Sequence, residues 1–166
     1  MNISIIAASN NKNLELAYQL NKIAQQMGQN AQVIDLVAQQ IPLYTPKHQD
    51  EQGIPQQVQD LAQILLNSDA MIFVAPEYNG GIPPVLTSAI AWLSVKGDDW
   101  RAYFNGKSAV LATHSGGGGN NVVSAMRSQL SYIGMNIVGR AIITNQKKPL
   151  SLDSAQDVIK QLIKIT

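Results

Sequence analysis

Asp69-Ala70-Met71-Ile72-Phe73-Val74-Ala75 runs directly into Pro76-Glu77-Tyr78-Asn79-Gly80-Gly81-Ile82-Pro83-Pro84, and the reading of this join decides the fold. The first half is a short apolar run with β-branched and aromatic members, opened by the turn residues Asn67-Ser68, and reads as a buried central strand. The second half is a stiff loop with three prolines and two glycines, carrying a tyrosine, an asparagine and an acid. Such a loop exposes backbone amides and suits the edge of a flat polar ring. The plainer alternative is an ordinary strand-to-helix connection with proline at the helix start.

Outward from this join, strand-like and helix-like segments alternate along the whole chain. Ile3–Ala8 reads as the first strand. Asn13–Met27 follows as a helix, with Leu16, Leu20, Ile23 and Met27 on one stripe and Gly28 at its end. Gln32–Leu36 is a second strand. Val58, Leu61, Ala62, Leu65 and Leu66 mark the next helix, and Met71–Ala75 is the third strand. Pro84 to about Ser94 is helical, Ser108–His114 is the fourth strand, and Val122, Met126, Leu130 and Ile133 lie on another helix. Asn136–Ile143 reads as the fifth strand, and Val158, Ile159, Leu162 and Ile163 as a last helix. Five βα units predict one α/β domain, a flavodoxin-like three-layer sandwich. Its five-stranded parallel sheet has the order 2-1-3-4-5, with helices on both faces. The irregular piece from Val37 to Pro55 is expected to wrap the sheet edge near the second strand.

Composition narrows the function classes. The chain has 166 residues, 45% of them apolar and 14% charged, with a formal net charge of +1. The 12 basic residues are scattered, which argues against a nucleic-acid surface. With no cysteine, thiolate catalysis and thiolate-bound metal centres are excluded. The opening Met1-Asn2-Ile3-Ser4-Ile5-Ile6 lacks a basic leader and is too short to span a membrane, so the expected location is the cytoplasm.

Three loops carry the chemistry. In the order 2-1-3-4-5, strands one, three and four are neighbours, and their carboxyl ends flank the switch point where ligands bind. After the first strand, Ser9, Asn11, Lys12 and Asn13 bring hydrogen-bonding groups and a cation to a helix start, suited to a phosphate monoester or, alternatively, to plain capping. After the third comes the Pro76–Pro84 loop. After the fourth, His114-Ser115 leads into Gly116–Gly119, whose bare backbone admits a ring or forms a mobile entrance. A ligand flat at one end and phosphorylated at the other fits this set, and flavin mononucleotide (FMN) fits better than a dinucleotide.

Pro76-Glu77-Tyr78-Asn79, then Ile82-Pro83, Leu86, Ala89-Ile90 and Trp92-Leu93-Ser94, resembles the signature of the NADPH-dependent FMN reductase family. Asn13 with Leu16-Ala17 is similar to that family's helix entry, and Ser115-Gly116-Gly117 to its flavin loop. Gln129, Leu130, Tyr132, Gly134 and Met135 extend the resemblance. It implies a reductase taking hydride from NADPH or NADH onto FMN and passing electrons to a small acceptor: a quinone, an azo compound or a metal oxyanion. It also implies phosphate binding by Ser9, Lys12 and Asn13, and ring binding by Pro76, Glu77, Tyr78 and Asn79 with Ser115, Gly116 and Gly117; Asn11 and Gly80 are further cofactor-binding candidates in the same loops. The first loop departs from the family by its shortness and by a lysine where an arginine is usual, a point charge instead of a bidentate fork.

No catalytic side chain is assigned. His114 has a structural and a proton-transfer alternative. Glu77 has flavin tuning, a subunit contact or capping of the helix at Ile82–Pro84 as alternatives; Tyr78 has stacking or packing. Helix Pro84–Ser94 is apolar on more than one face, which predicts a homodimer or homotetramer packed through it, with Trp92 at the contact or in the core. Asp98-Asp99-Trp100-Arg101 is a polar insertion expected to rim the pocket. Electron carriage and cofactor-free binding or scaffolding stand beside the enzyme reading.

Overall fold

The computed structural model describes residues 1–97 and 99–166. Strands β1 (Asn2–Ala7), β2 (Asn30–Asp35), β3 (Ala70–Val74) and β4 (Ser108–His114) pair in parallel, in the order β2-β1-β3-β4. β3 is buried at every position, as its unbroken apolar run requires of a strand covered on both faces.

The fifth position corrects the expectation of one strand over Asn136–Ile143. It holds two short strands, β5 (Asn136–Ile137) and β6 (Ile142–Thr144), each parallel to β4. Ala109 faces Ile137 and Ala112 faces Ile142, so Val138–Ala141 bulges against the shorter Val110–Leu111. Arg127 stabilises the bulge by donating to the carbonyls of Val138 (3.2 Å) and Gly139 (3.0 Å).

Helices α1 (Lys12–Gln26) and α6 (Leu152–Ile165) cover one face of the sheet, packing Leu16, Leu20, Val158 and Leu162 on Ile5, Ile72 and Val110. Helices α3 (Gln56–Leu66), α4 (Pro84–Ser94) and α5 (Asn120–Tyr132) cover the other, where Phe73, Leu111, Leu61 and Trp92 form the core. Each such fully buried side chain contributes about 1.5–3 kcal/mol of hydrophobic stabilisation.

Two further expectations change. Val37–Pro55 is not simply irregular: it contains helix α2 (Pro46–Gln52), capped by the Thr45 side chain, and it reaches across to α4. Trp92 donates its indole N–H to the carbonyl of Pro42 at 2.8 Å, and the rings of Tyr44 and His48 meet it edge-on at 5.0 and 5.5 Å. Trp92 is thus a core residue covered from within the chain, while Val85 and Ala91 of the same helix stay partly exposed.

The Trp100–Arg101 turn lies at the amino end of β4, opposite the switch point, and so does not rim the pocket. Its Arg101 guanidinium sits 4.3 Å over the Trp100 ring and 5.8 Å from Tyr132. Asp98 lies outside the described residues.

Candidate functional site

The three loops meet at the carboxyl ends of β1, β3 and β4. Hydrogen bonds from the Ala8 amide to the Val74 carbonyl (2.9 Å) and from the Ala75 amide to the Ala112 carbonyl (3.1 Å) hold the strand ends level.

In the β1 loop, Asn11 takes φ 72° with ψ −140°, outside the left-handed helical region and close to a conformation that glycine mostly adopts, and stands at the start of α1 without capping it. The first-turn amides of α1 therefore have no side-chain acceptor, which leaves donors and the positive helix end for an anion. Ser9 is buried just before this turn. Lys12 is exposed and lies along α1, its ammonium 2.8 Å from Glu15.

Asn13 points inward. Its side-chain amide donates to the His114 carbonyl (3.0 Å) while its oxygen accepts from the His114 amide (2.8 Å), tying the start of α1 to the end of β4. That clamp occupies the atoms expected to meet a phosphate.

The β3 loop is built by a tight turn. Tyr78 and Gly81 exchange backbone hydrogen bonds (3.2 and 2.9 Å) around Asn79 and Gly80, both at positive φ. Two central residues at positive φ make the turn that favours Asn-Gly, a dipeptide legible in the sequence. The turn leaves Tyr78 half exposed beyond a buried Pro76.

Glu77 reaches sideways into the β4 loop and not toward α4. Its carboxylate accepts from the Val122 amide at 3.3 Å, near the start of α5, and a Cβ at Gly117 would stand 3.1 Å from its other oxygen. A helix amino terminus favours such a carboxylate. The β3 and β4 loops are thus locked together, with Gly80 beside Asn121 as well.

In the β4 loop, Ser115 accepts from the Gly117 amide at 3.2 Å, and Gly116 is open on its Cβ side. Gly119, at φ +74°, begins α5 in the left-handed region, and a Cβ there would meet Thr113 Cγ2 at 2.5 Å. Thr113 Oγ1 beneath this loop is buried without a partner. An orphaned buried hydroxyl, an uncapped helix start and a bare glycine edge fit a ligand with a phosphate and a flat polar ring.

Reasoning from sequence overlooked Thr144 at the end of β6. Thr144 is buried and joins His114: its hydroxyl donates to the Thr113 carbonyl (3.1 Å) and meets His114 Nδ1 at 3.2 Å. The bulge at Gly139 puts Thr144 beside the end of β4, and the Gly within an apparent strand was the available signal. Among the described residues no group of three His, Asp or Glu is placed to hold a metal. No helix among them is long and apolar enough to cross a membrane.

A family model described as NADPH-dependent FMN reductase matches residues 1–148. The chain is 33% identical over 116 residues to a quinone reductase of Escherichia coli (strain K12), an overlap covering 66% of this chain and 60% of that protein. It is 28% identical over 143 residues to an NAD(P)H-dependent FMN reductase of Saccharomyces cerevisiae, covering 79% of this chain and 68% of that one. The solved structure of FerB, a flavoenzyme NAD(P)H:(acceptor) oxidoreductase from Paracoccus denitrificans, superposes with a TM-score of 0.76. That superposition covers 99% of this chain and 94% of FerB at 18% identity, a likeness of fold. With the strand order, the Pro-Glu-Tyr-Asn turn and the family model all spanning the same stretch, the chain belongs to the NADPH-dependent FMN reductase family.

Proposed function

We propose that the protein is an NAD(P)H-dependent flavin oxidoreductase that holds FMN at the carboxyl ends of β1, β3 and β4 and serves a quinone-type acceptor. Azo compounds and metal oxyanions belong to the same acceptor class in this reading. What carries it is the uncapped start of α1 beside two loops cross-linked through Glu77, in a chain of this family.

When bound, FMN supplies two-electron chemistry between NAD(P)H and the acceptor. The chain supplies position and electrostatics. Ser9, Asn11, Lys12 and the first-turn amides of α1 hold the phosphate, while Asn13 fixes the distance between that loop and the β4 loop. Pro76, Glu77, Tyr78, Asn79 and Gly80, together with Ser115, Gly116 and Gly117, would hold the ring. Glu77 anchors α5, so the loop with the most glycine is fixed by a neighbour as well as by its own Ser115.

A visible spectrum before and after FMN addition and desalting tests the proposal. The expected result is a retained flavin band that bleaches with NADPH under anaerobic conditions and returns with a quinone. Lys12→Ala should weaken FMN binding about tenfold, the loss of roughly one charge-assisted contact, while Lys147→Ala leaves it unchanged. No retained flavin at saturating FMN overturns the reading and favours a cofactor-free binding protein. Retention with equal affinity in both variants removes Lys12 from the phosphate site.

A further inference from the structure

A cleft of about 350 Å³ opens between α1 and the chain that follows β6, beside the ends of β4 and β6. That is the size of a small-molecule site. None of the β3 loop and none of the glycine loop lines it.

Its chemistry is differentiated. Leu16, Pro149 and Leu150 make an apolar wall, and the amide side chains of Gln19, Asn145 and Gln146 stand around it. Asn145 Oδ1 already accepts from the Lys147 and Lys148 amides (2.9 and 2.8 Å), so its free group is the NH2 donor.

Lys12 brings a cation whose partner is Glu15, both more than half exposed. Such a surface pair contributes little, and the ammonium can turn to an anionic ligand at small cost. His114 is oriented from behind: Thr144 gives its one hydroxyl proton to the Thr113 carbonyl, so that oxygen must accept from His114 Nδ1–H. With Nδ1–H committed to Thr144, Nε2 is the ring nitrogen left for a ligand.

A flat heteroaromatic ring with polar edges, then hydroxyls, then a phosphate would meet this wall, these amides, this imidazole and this ammonium in turn. We propose that the cleft binds the adenylate end of the hydride donor, an assignment that rests on the oxidoreductase reading above. Lys12 is itself among the residues assigned to the FMN phosphate and His114 directly precedes the glycine loop, so the cleft borders the flavin site and shares the Lys12 ammonium with it.

The test uses 5′-AMP as probe and the double variant Gln19→Glu/Gln146→Glu, at two exposed positions where added charge leaves the fold intact. In FMN-loaded protein, 5′-AMP should compete with NADH. The double variant should raise the KM for NADH about tenfold, with kcat within about twofold and FMN affinity unchanged. In FMN-free protein, 5′-AMP should shift the amide NMR signals of His114 and Gln146, and less so in the variant.

If FMN is retained and reduced yet 5′-AMP neither competes nor shifts those signals, the cleft assignment falls alone. If the KM is unchanged in the double variant, it falls as well. If 5′-AMP shifts them in a protein that retains no FMN, the oxidoreductase reading falls and the cleft stands as a nucleotide site.

Discussion

The two ends of β4 are built on opposite terms. At the amino end, polar groups are paired within the chain: Lys107 donates to the carbonyls of Leu65, Leu66 and Ser68 where α3 finishes, and Ser108 donates to the Ile165 carbonyl at 3.1 Å. Nearby, the hydroxyls of Ser4 and Ser68 meet at 2.7 Å.

At the carboxyl end, Thr113 keeps a buried hydroxyl without a partner, α1 starts without a side-chain cap, and α5 starts at a left-handed glycine. The strand between them is seven residues long and almost wholly buried. The same strand is therefore paired at one end and keeps unpartnered polar groups at the other, the end at which open parallel sheets generally bind ligands. Substitutions at the carboxyl end should lower stability and FMN affinity together, and those at the amino end stability alone.

The largest effect belongs to Gly119→Ala at the open end. A Cβ 2.5 Å from Thr113 Cγ2 forces the β4 loop or β4 itself to shift, and the positive φ adds strain. Together these should cost roughly 3–5 kcal/mol. Urea unfolding of the FMN-free protein checks the loss, and FMN titration should show affinity falling with it. A near-neutral result would mean that the loop relaxes freely and that its conformation is not set by Thr113.

Asn13→Ala comes next and probes the clamp. It leaves the His114 amide and carbonyl without partners in a half-buried place, which should cost roughly 2–3 kcal/mol in FMN-free protein. A residue acting only on a phosphate would leave FMN-free stability unchanged and lower affinity alone. The joint readout of unfolding and FMN titration therefore decides whether Asn13 belongs to the anchored or to the open half of the molecule.

Much of this division was legible beforehand. The alternation of apolar runs predicts the parallel sheet and its order, because β3 and β4 are continuous hydrophobic segments that only a doubly covered sheet accommodates. The three loops were placed together by topology alone. What escaped were features decided by side-chain reach across the fold. Asn13 reads as a cap or phosphate ligand in sequence, since nothing local reveals that His114, 101 residues away, takes both its groups. Glu77 reads as a flavin-tuning group, a subunit contact or a cap for the nearby α4, and none of these anticipates its bond to the Val122 amide of α5. Trp92 reads equally as a subunit contact or a core residue, and only the reach of Pro42 and Tyr44 across to it selects the core. The break in the fifth strand depends on Arg127 supplying donors to the bulge, a tertiary contact that no period-2 pattern records.

The smallest effect, and the sharpest contrast, is expected at the anchored end with Lys107→Met. Removing an ammonium that ends α3 should cost roughly 1–2 kcal/mol at neutral pH and leave FMN affinity unchanged. Burial pushes the Lys107 ammonium below its ordinary value of 10.5, while Asp69 acts in the opposite direction. The folded chain consequently releases this proton at lower pH than the unfolded chain does. Between the lowered value and 10.5 the unfolded state binds more protons, so the contribution of Lys107 to stability rises with pH through that window. Unfolding of wild type and Lys107→Met measured from neutral pH to about 10.5 should show the gap between them widening. A gap that closes instead would mean that attraction to Asp69 outweighs burial, and that this end of β4 is held by charge more than by the carbonyls of α3.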